Sequence, residues 1–177
     1  MALREIVTLP DPVLRRKARK VTDFGPGLQQ LIDDMVDSMR AEPGVGLAAP
    51  QVGVQERVVV VEFGDDEDEN IPPKLYAVVN PEFTRLSKDM VVGTEGCLSI
   101  PGYLGDVERH AAVVVKGQNR RGQPVTIKAQ GWLARIFQHE MDHLDGVLFV
   151  DRASQVWRAT QEDQEQSEQH STHTLGD

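Results

Sequence analysis

Near the end of the chain, Gln138 to His143 read QHEMDH, so His139 and His143 stand four residues apart with Glu140 between them. A helix turns about 100° per residue, so side chains four apart diverge by only about 40° and leave one face on adjacent turns. Two imidazoles so related can share one metal ion. Glu140 is rotated off that face, which disfavours it as a third ligand. It can still reach a water at the metal and act as a general base. The competing explanation is a helix carrying two histidines by coincidence, one hydrogen-bonded and one exposed.

Two histidines need at least one further protein ligand. His170 and His173 lie in a polar stretch where fixing them would cost ordering entropy. His110 opens a β-rich segment and is a candidate. Cys97, the single cysteine, sits in EGCLSIPG and is the stronger one, because thiolate suits Zn²⁺ or Fe²⁺. A lone cysteine is equally at home as a small buried hydrophobe.

The elements that must position these groups follow from periodicity. GWLARIFQHEMDHLDG reads as a helix stopped by Gly146. Trp132 and Ile136 share the histidine sector, while Leu133, Phe137, Met141 and Leu144 form a neighbouring stripe suited to the core. An apolar stripe beside a metal fits a pocket for an apolar side chain. Arg135, at the edge of that sector, is expected to face a peptide or solvent. Solvation of the helix surface accounts for Asp142 and Asp145, with Asp145 also a candidate support for a ligating histidine.

Upstream, PGLQQLIDDMVDSMRAE carries Leu28, Leu31, Ile32, Met35, Val36 and Met39 at helical spacing. GVGLAAPQVG is expected to be a loop and ERVVVVEF a buried strand. The acidic run before IPP should be a solvated loop. YAVVNPEF and DMVVGTEG suggest short strands, and the segment from His110 to Ala129 a hairpin turning near Gly122. From about Glu162 onward the composition predicts a frayed or disordered tail. Strands first and a polar helix late indicate a single α+β domain, with short mixed or antiparallel sheets packed around a central metal-binding helix.

The 177 residues suffice for one domain with a real core. Of the net charge of −9, Asp65 to Glu69 supply −5 and the residues from Asp151 onward −4. The remainder balances, with no basic stripe for phosphate, which argues against direct nucleic-acid binding. One cysteine excludes an internal disulfide framework and suggests a reducing compartment. The first residues lack the apolar run of a secretory signal, and no stretch matches a membrane span. The cytoplasm is the expected location.

Three strings, GVGLAAPQ (Gly44 to Gln51), EGCLS (Glu95 to Ser99) and QHEMDHLDG (Gln138 to Gly146), resemble the motifs of the peptide deformylases, in that family's order. LPDPVLRRKARKV is similar to the family's N-terminal segment, and the likeness runs from about Leu3 to Asp151. It implies a catalytic domain over residues 1–152, followed by a polar acidic tail over 153–177, partly helical or disordered. It implies that Cys97, His139 and His143 hold one divalent ion per chain, Fe²⁺ in the cell, with Zn²⁺ or Ni²⁺ able to substitute. Glu140 matches the catalytic glutamate, and Gln51 with the backbone N–H of Leu98 the oxyanion donors. Val45, Gly46 and Gly96 match the peptide site, and Trp132 and Ile136 with Val45 the methionine pocket. Glu95 and Arg109 match a buried supporting pair.

The activity so implied is removal of the formyl group from N-formylmethionyl nascent peptides, with release of formate. The acidic tail departs from the basic C-terminal helix that some members use on the ribosome, so that contact is not expected here. Two other functions share the helix motif: a general metalloendopeptidase, and a non-catalytic metal module sensing redox through Cys97. Retention of Glu140 and Gln51 argues against the latter.

Overall fold

The structure is a computed structural model and describes residues 2–65, 67–160 and 163. The tail expected from Glu162 onward therefore lies, Asp163 apart, outside the described residues. Helix α1 (Pro26–Ala41) is followed by β1 (Gly46–Ala48), β2 (Val58–Phe63), β3 (Lys74–Leu86), β4 (Met90–Cys97) and β5 (Ile100–His110). Then come β6 (Ala112–Gln118), β7 (Pro124–Gln130), α2 (Gly131–Leu144), α3 (Phe149–Arg152) and β8 (Gln155–Arg158).

The valines of β2 determine the layering. Successive side chains of a strand point to opposite faces, and every residue of β2 is buried. Val58 and Val60 pack with Leu31, Ile32, Met35 and Met39 of α1. Val59 and Val61 pack with Phe137, Met141 and Leu144 of α2. The five-stranded sheet β1-β2-β3-β6-β7, antiparallel throughout, thus carries one helix against each face. Tyr76 meets the ring of Phe137 edge-on, with centroids 5.6 Å apart.

A second antiparallel sheet, β4-β5-β8, has its own small core of Leu14, Ile100, Val107, Leu148 and Phe149. The two sheets adjoin where β3 passes to β4 and β5 to β6. There the Ser87 N–H donates to Ala112 O and the Ala111 N–H to Asp89 O, each at 2.9 Å. The architecture is α+β, with α2 at the centre.

Three sequence expectations are corrected. GVGLAAPQVG is not simply a loop: Gly46–Ala48 pairs with β2, and Ala49–Val52 forms a turn of 3₁₀ helix. Three residues carry no readable period, and it is the edge of β2 that makes them a strand. YAVVNPEF is only part of the thirteen-residue β3, whose register shifts twice against β6. Gln155–Arg158, polar enough to be read as tail, pairs with β5 from Tyr103 to Asp106, so regular structure continues past residue 152. No helix among the described residues is long and apolar enough to cross a membrane.

Candidate metal centre

α2 buries Ala134, Ile136, Phe137, Met141 and Leu144, and this anchor fixes the rotation of the helix. His139, Glu140 and His143 then face β1 and the end of β4. Gly146 ends the helix with φ +74°, where a Cβ would lie 2.5 Å from the Arg15 carbonyl oxygen. β4 terminates at Cys97, which pairs with Ile100 across the two-residue turn Leu98–Ser99. Leu98 thus stands in the turn, directly after Cys97.

One ligand-competent atom from each of Cys97, His139 and His143 lies within 4.8 Å of the others. Cys97 Sγ is 3.3 Å from His143 Nε2. Bond lengths of about 2.3 Å to sulfur and about 2.0 Å to nitrogen place tetrahedral ligand atoms roughly 3.5 Å apart. The donor set therefore fits a divalent ion of the iron, nickel or zinc kind. Burial above all pushes the pKa of His143 well down, favouring the neutral ring that a metal needs.

His139 gives its Nδ1 to Glu95 Oε1 at 2.8 Å, which leaves Nε2 for the centre. Glu95 is a four-way acceptor. It takes two bonds from Arg109, each at 2.9 Å, and one from Arg135 Nη1 at 2.6 Å, besides that of His139. Burial opposes ionisation of Glu95, yet the hydrogen bonds from Arg109 and His139 hold its carboxyl far below the usual range.

Glu140 is buried, with Oε1 3.6 Å from His139 Nε2. Its Oε2 has no hydrogen-bond partner among the described residues, an unusual condition for a buried oxygen. Burial pushes its pKa up to about 7. β1 reaches this carboxylate only because residue 46 is glycine: a Cβ there would lie 2.9 Å from Glu140 Cγ and 3.1 Å from Ile136 Cγ2.

Gln51 is locked beside the sulfur. Its Oε1 accepts from the Ala48 N–H at 3.0 Å, and its Nε2 donates to Ser99 Oγ at 3.1 Å and lies 3.6 Å from Cys97 Sγ. Ile136 is buried and Trp132 half-buried against the same cluster as Val45. Gly96 is exposed on β4, with Leu104 so close that a Cβ would lie 3.0 Å from it. Cys97, His139, His143, Glu140, Gln51, Gly46 and Ile136 are thereby brought together, whereas His170 and His173 lie outside the described residues.

Other expectations change. Arg135 faces neither peptide nor solvent: it is buried and bonded to Glu95, Val107 O and Val91 O. Asp145 pairs with Arg57 at 3.1 Å, and Glu95 supports the histidine instead. Asp142 is not merely solvated, since it joins Arg109 to Arg152. His110 gives its Nδ1 to Ser87 O at 2.6 Å, where the sheets adjoin.

Gln138 and Ser99 carry roles that residue types alone did not disclose. Gln138 accepts from the His110 N–H and donates to His110 O, both at 2.9 Å, clamping α2 to the end of β5. Ser99 holds Gln51. Their sole signal in the sequence is membership of the EGCLS and QHEMDHLDG motifs.

A sequence model of the family described as polypeptide deformylase matches residues 3–159. The peptide deformylase of Symbiobacterium thermophilum is 49% identical over 169 residues, covering 96% of this chain and 75% of that one. The crystal structure of peptide deformylase from Thermotoga maritima superposes with a TM-score of 0.79 at 42% identity, covering 88% of this chain and all of the other. The Met-ala-ser-bound class I type b peptide deformylase of Acinetobacter baumannii gives 0.79 at 38% identity, over 85% of this chain and 98% of its own. On this agreement of sequence and fold, the chain belongs to the polypeptide deformylase family.

Proposed function

We infer that Cys97, His139 and His143 hold one divalent metal ion and that Glu140 moves the proton during deformylation. The observation that carries this is the buried Glu140 Oε2, which has no hydrogen-bond partner among the described residues and stands beside the three-residue cluster. The ion would act as a Lewis acid that makes water acidic enough to attack at neutral pH. Glu140 takes the proton as oxygen adds to the formyl carbon, then gives it to the amine nitrogen as the C–N bond breaks. The products are formate and a peptide with a free amino terminus.

Gln51 Nε2 and the Leu98 N–H offer donors to the oxygen that gains charge, a contact typically worth about 3–4 kcal/mol at the barrier. β1 and β4 are edge strands of their sheets, so Gly46 and Gly96 can offer backbone groups to an extended peptide. Val45, Ile136 and Trp132 supply the apolar wall for a methionine side chain. The Met-ala-ser bound by the Acinetobacter relative supports a methionine-first ligand. Formate release from formyl-Met-Ala-Ser, with Met-Ala-Ser left intact, is the expected result. Cleavage of the unformylated peptide would instead indicate an endopeptidase.

Fe²⁺ is the cellular metal in this reading, with Ni²⁺ or Zn²⁺ able to substitute, since the donor set accepts all three. Iron-loaded protein should then lose activity in air by oxidation at Cys97, while nickel-loaded protein keeps it. Equal persistence of both forms would refute the iron assignment. The protein acts on nascent chains in the cytoplasm. Its acidic terminus should keep it from pelleting with ribosomes through RNA contacts, and pelleting that is lost on truncation after Asp151 would contradict this.

A further inference from the structure

We propose that Arg135 is a positioning residue of the metal centre, fixing Glu95 and through it the imidazole of His139, and that Gly93 is the vacancy this requires. The inference rests on His139 being a metal ligand. Arg135 is only 5% exposed. Its Nη1 donates to Glu95 Oε2 at 2.6 Å and to Val107 O at 2.8 Å, and its Nη2 donates to Val91 O at 2.7 Å. Its guanidinium carbon lies 5.6 Å from the centroid of the Trp132 ring. The group is thereby held by both strands of the β4–β5 pair and by its own helix.

A second guanidinium on Glu95 is not needed for neutrality. Arg109 already takes both oxygens of that carboxylate, and has Asp142 as a further partner at 2.7 Å. Burying another charge is costly, and apolar neighbours could fill the space. Arg109 reaches α2 at Asp142, beyond His139; what it does not supply is a tie on the N-terminal side of that ligand. Arg135 and His139 lie four residues apart on that helix and grip opposite oxygens of Glu95. This closes a ring from helix to guanidinium to carboxylate to imidazole and back to helix. With Oε2 held by Arg135, Oε1 has one position before His139 Nδ1, and Nε2 must face Cys97 and His143.

Gly93 shows how closely the guanidinium is fitted. A Cβ there would lie 2.8 Å from the guanidinium carbon and 2.9 Å from Nε and Nη2. The backbone at Gly93 is not left-handed, so space alone calls for glycine.

The test uses full-length protein loaded with Co²⁺, measuring affinity by chelator competition, the visible ligand-field spectrum and the thermal midpoint. Arg135→Met should weaken Co²⁺ binding by roughly 10–100-fold and alter the spectrum. Arg135→Lys, keeping one donor, should recover part of that loss. Gly93→Ala displaces the guanidinium without removing it and should act in the same direction, so it decides the matter if Arg135→Met does not fold. Leu31→Ala, in the core around α1, should lower the thermal midpoint and leave Co²⁺ affinity unchanged. Wild-type affinity and spectrum in both Arg135→Met and Gly93→Ala would overturn the proposal, as would equal weakening in Leu31→Ala. His143→Ala separates the two claims. If it keeps wild-type affinity, the ligand assignment itself fails; if it loses metal while Arg135→Met does not, only the positioning role fails.

Discussion

Gly46 controls how closely β1 approaches Glu140, the proposed general base. Because a Cβ there would meet Glu140 Cγ at 2.9 Å, Gly46→Ala must shift either the strand or the carboxylate. Displacement of a reacting group by about 1 Å can cost roughly 10²-fold in rate. Gly46→Ala should therefore lower kcat by that order while metal content stays at wild type, as formate-release kinetics with metal analysis would show. At this scale the Cys97–His139–His143 cluster was legible: the four-residue spacing raised the two histidines, and the family resemblance chose Cys97 over His110. Arg135 was not. A charged residue at the rim of a helix sector reads as surface, and its burial depends on Glu95, forty positions upstream, and on the missing side chain of Gly93. Gln138 escaped for the same reason, since its partner, the His110 backbone, becomes a neighbour only when α2 docks on β5.

The N-terminal segment links α1 to the centre. Asp34 on α1 accepts from the Ala2 N–H at 2.9 Å, from Gln30 at 2.7 Å and from Arg4 at 3.0 Å. Further along, the Val7 N–H donates to Gln51 O and the Leu9 N–H to Ser99 O, so the same segment stitches the turns bearing the proposed oxyanion donors. The bond from Ala2 above all, then those from Gln30 and Arg4, outweighs burial and holds the Asp34 carboxyl below its ordinary range. A depressed carboxylate pKa contributes stability above the unfolded value of about 3.9, and that contribution is lost as the pH falls through the folded value. Asp34→Ala should therefore cost about 1–3 kcal/mol at pH 7, with the gap to wild type closing below about pH 3.9. Thermal melts at the two pH values check this; a gap that persisted in acid would contradict it. α1 and α2 were legible from their period and β2 from its β-branched run, whereas β1 and β8 exist because a neighbouring strand offers an edge.

For the whole molecule, the centre couples two sheets and a helix, since Cys97 comes from the small sheet and both histidines from α2, which packs on the large one. A ligand that binds the folded chain alone stabilises it by mass action, by about 4 kcal/mol at a free concentration near 1,000 times Kd. Chelation should thus lower the thermal midpoint, and Ni²⁺ should restore it. In Cys97→Ser both shifts should shrink; a midpoint indifferent to metal in the wild type would remove the ion from the fold's stability. Metal and base act in one reaction under the proposed function, and Glu140→Ala separates them when metal content and formate release from formyl-Met-Ala-Ser are measured on the same sample. One metal ion per chain and a loss of turnover of roughly 10²–10⁴-fold are the expected results. Near-normal formate release from metal-loaded Glu140→Ala would contradict Glu140 as the base.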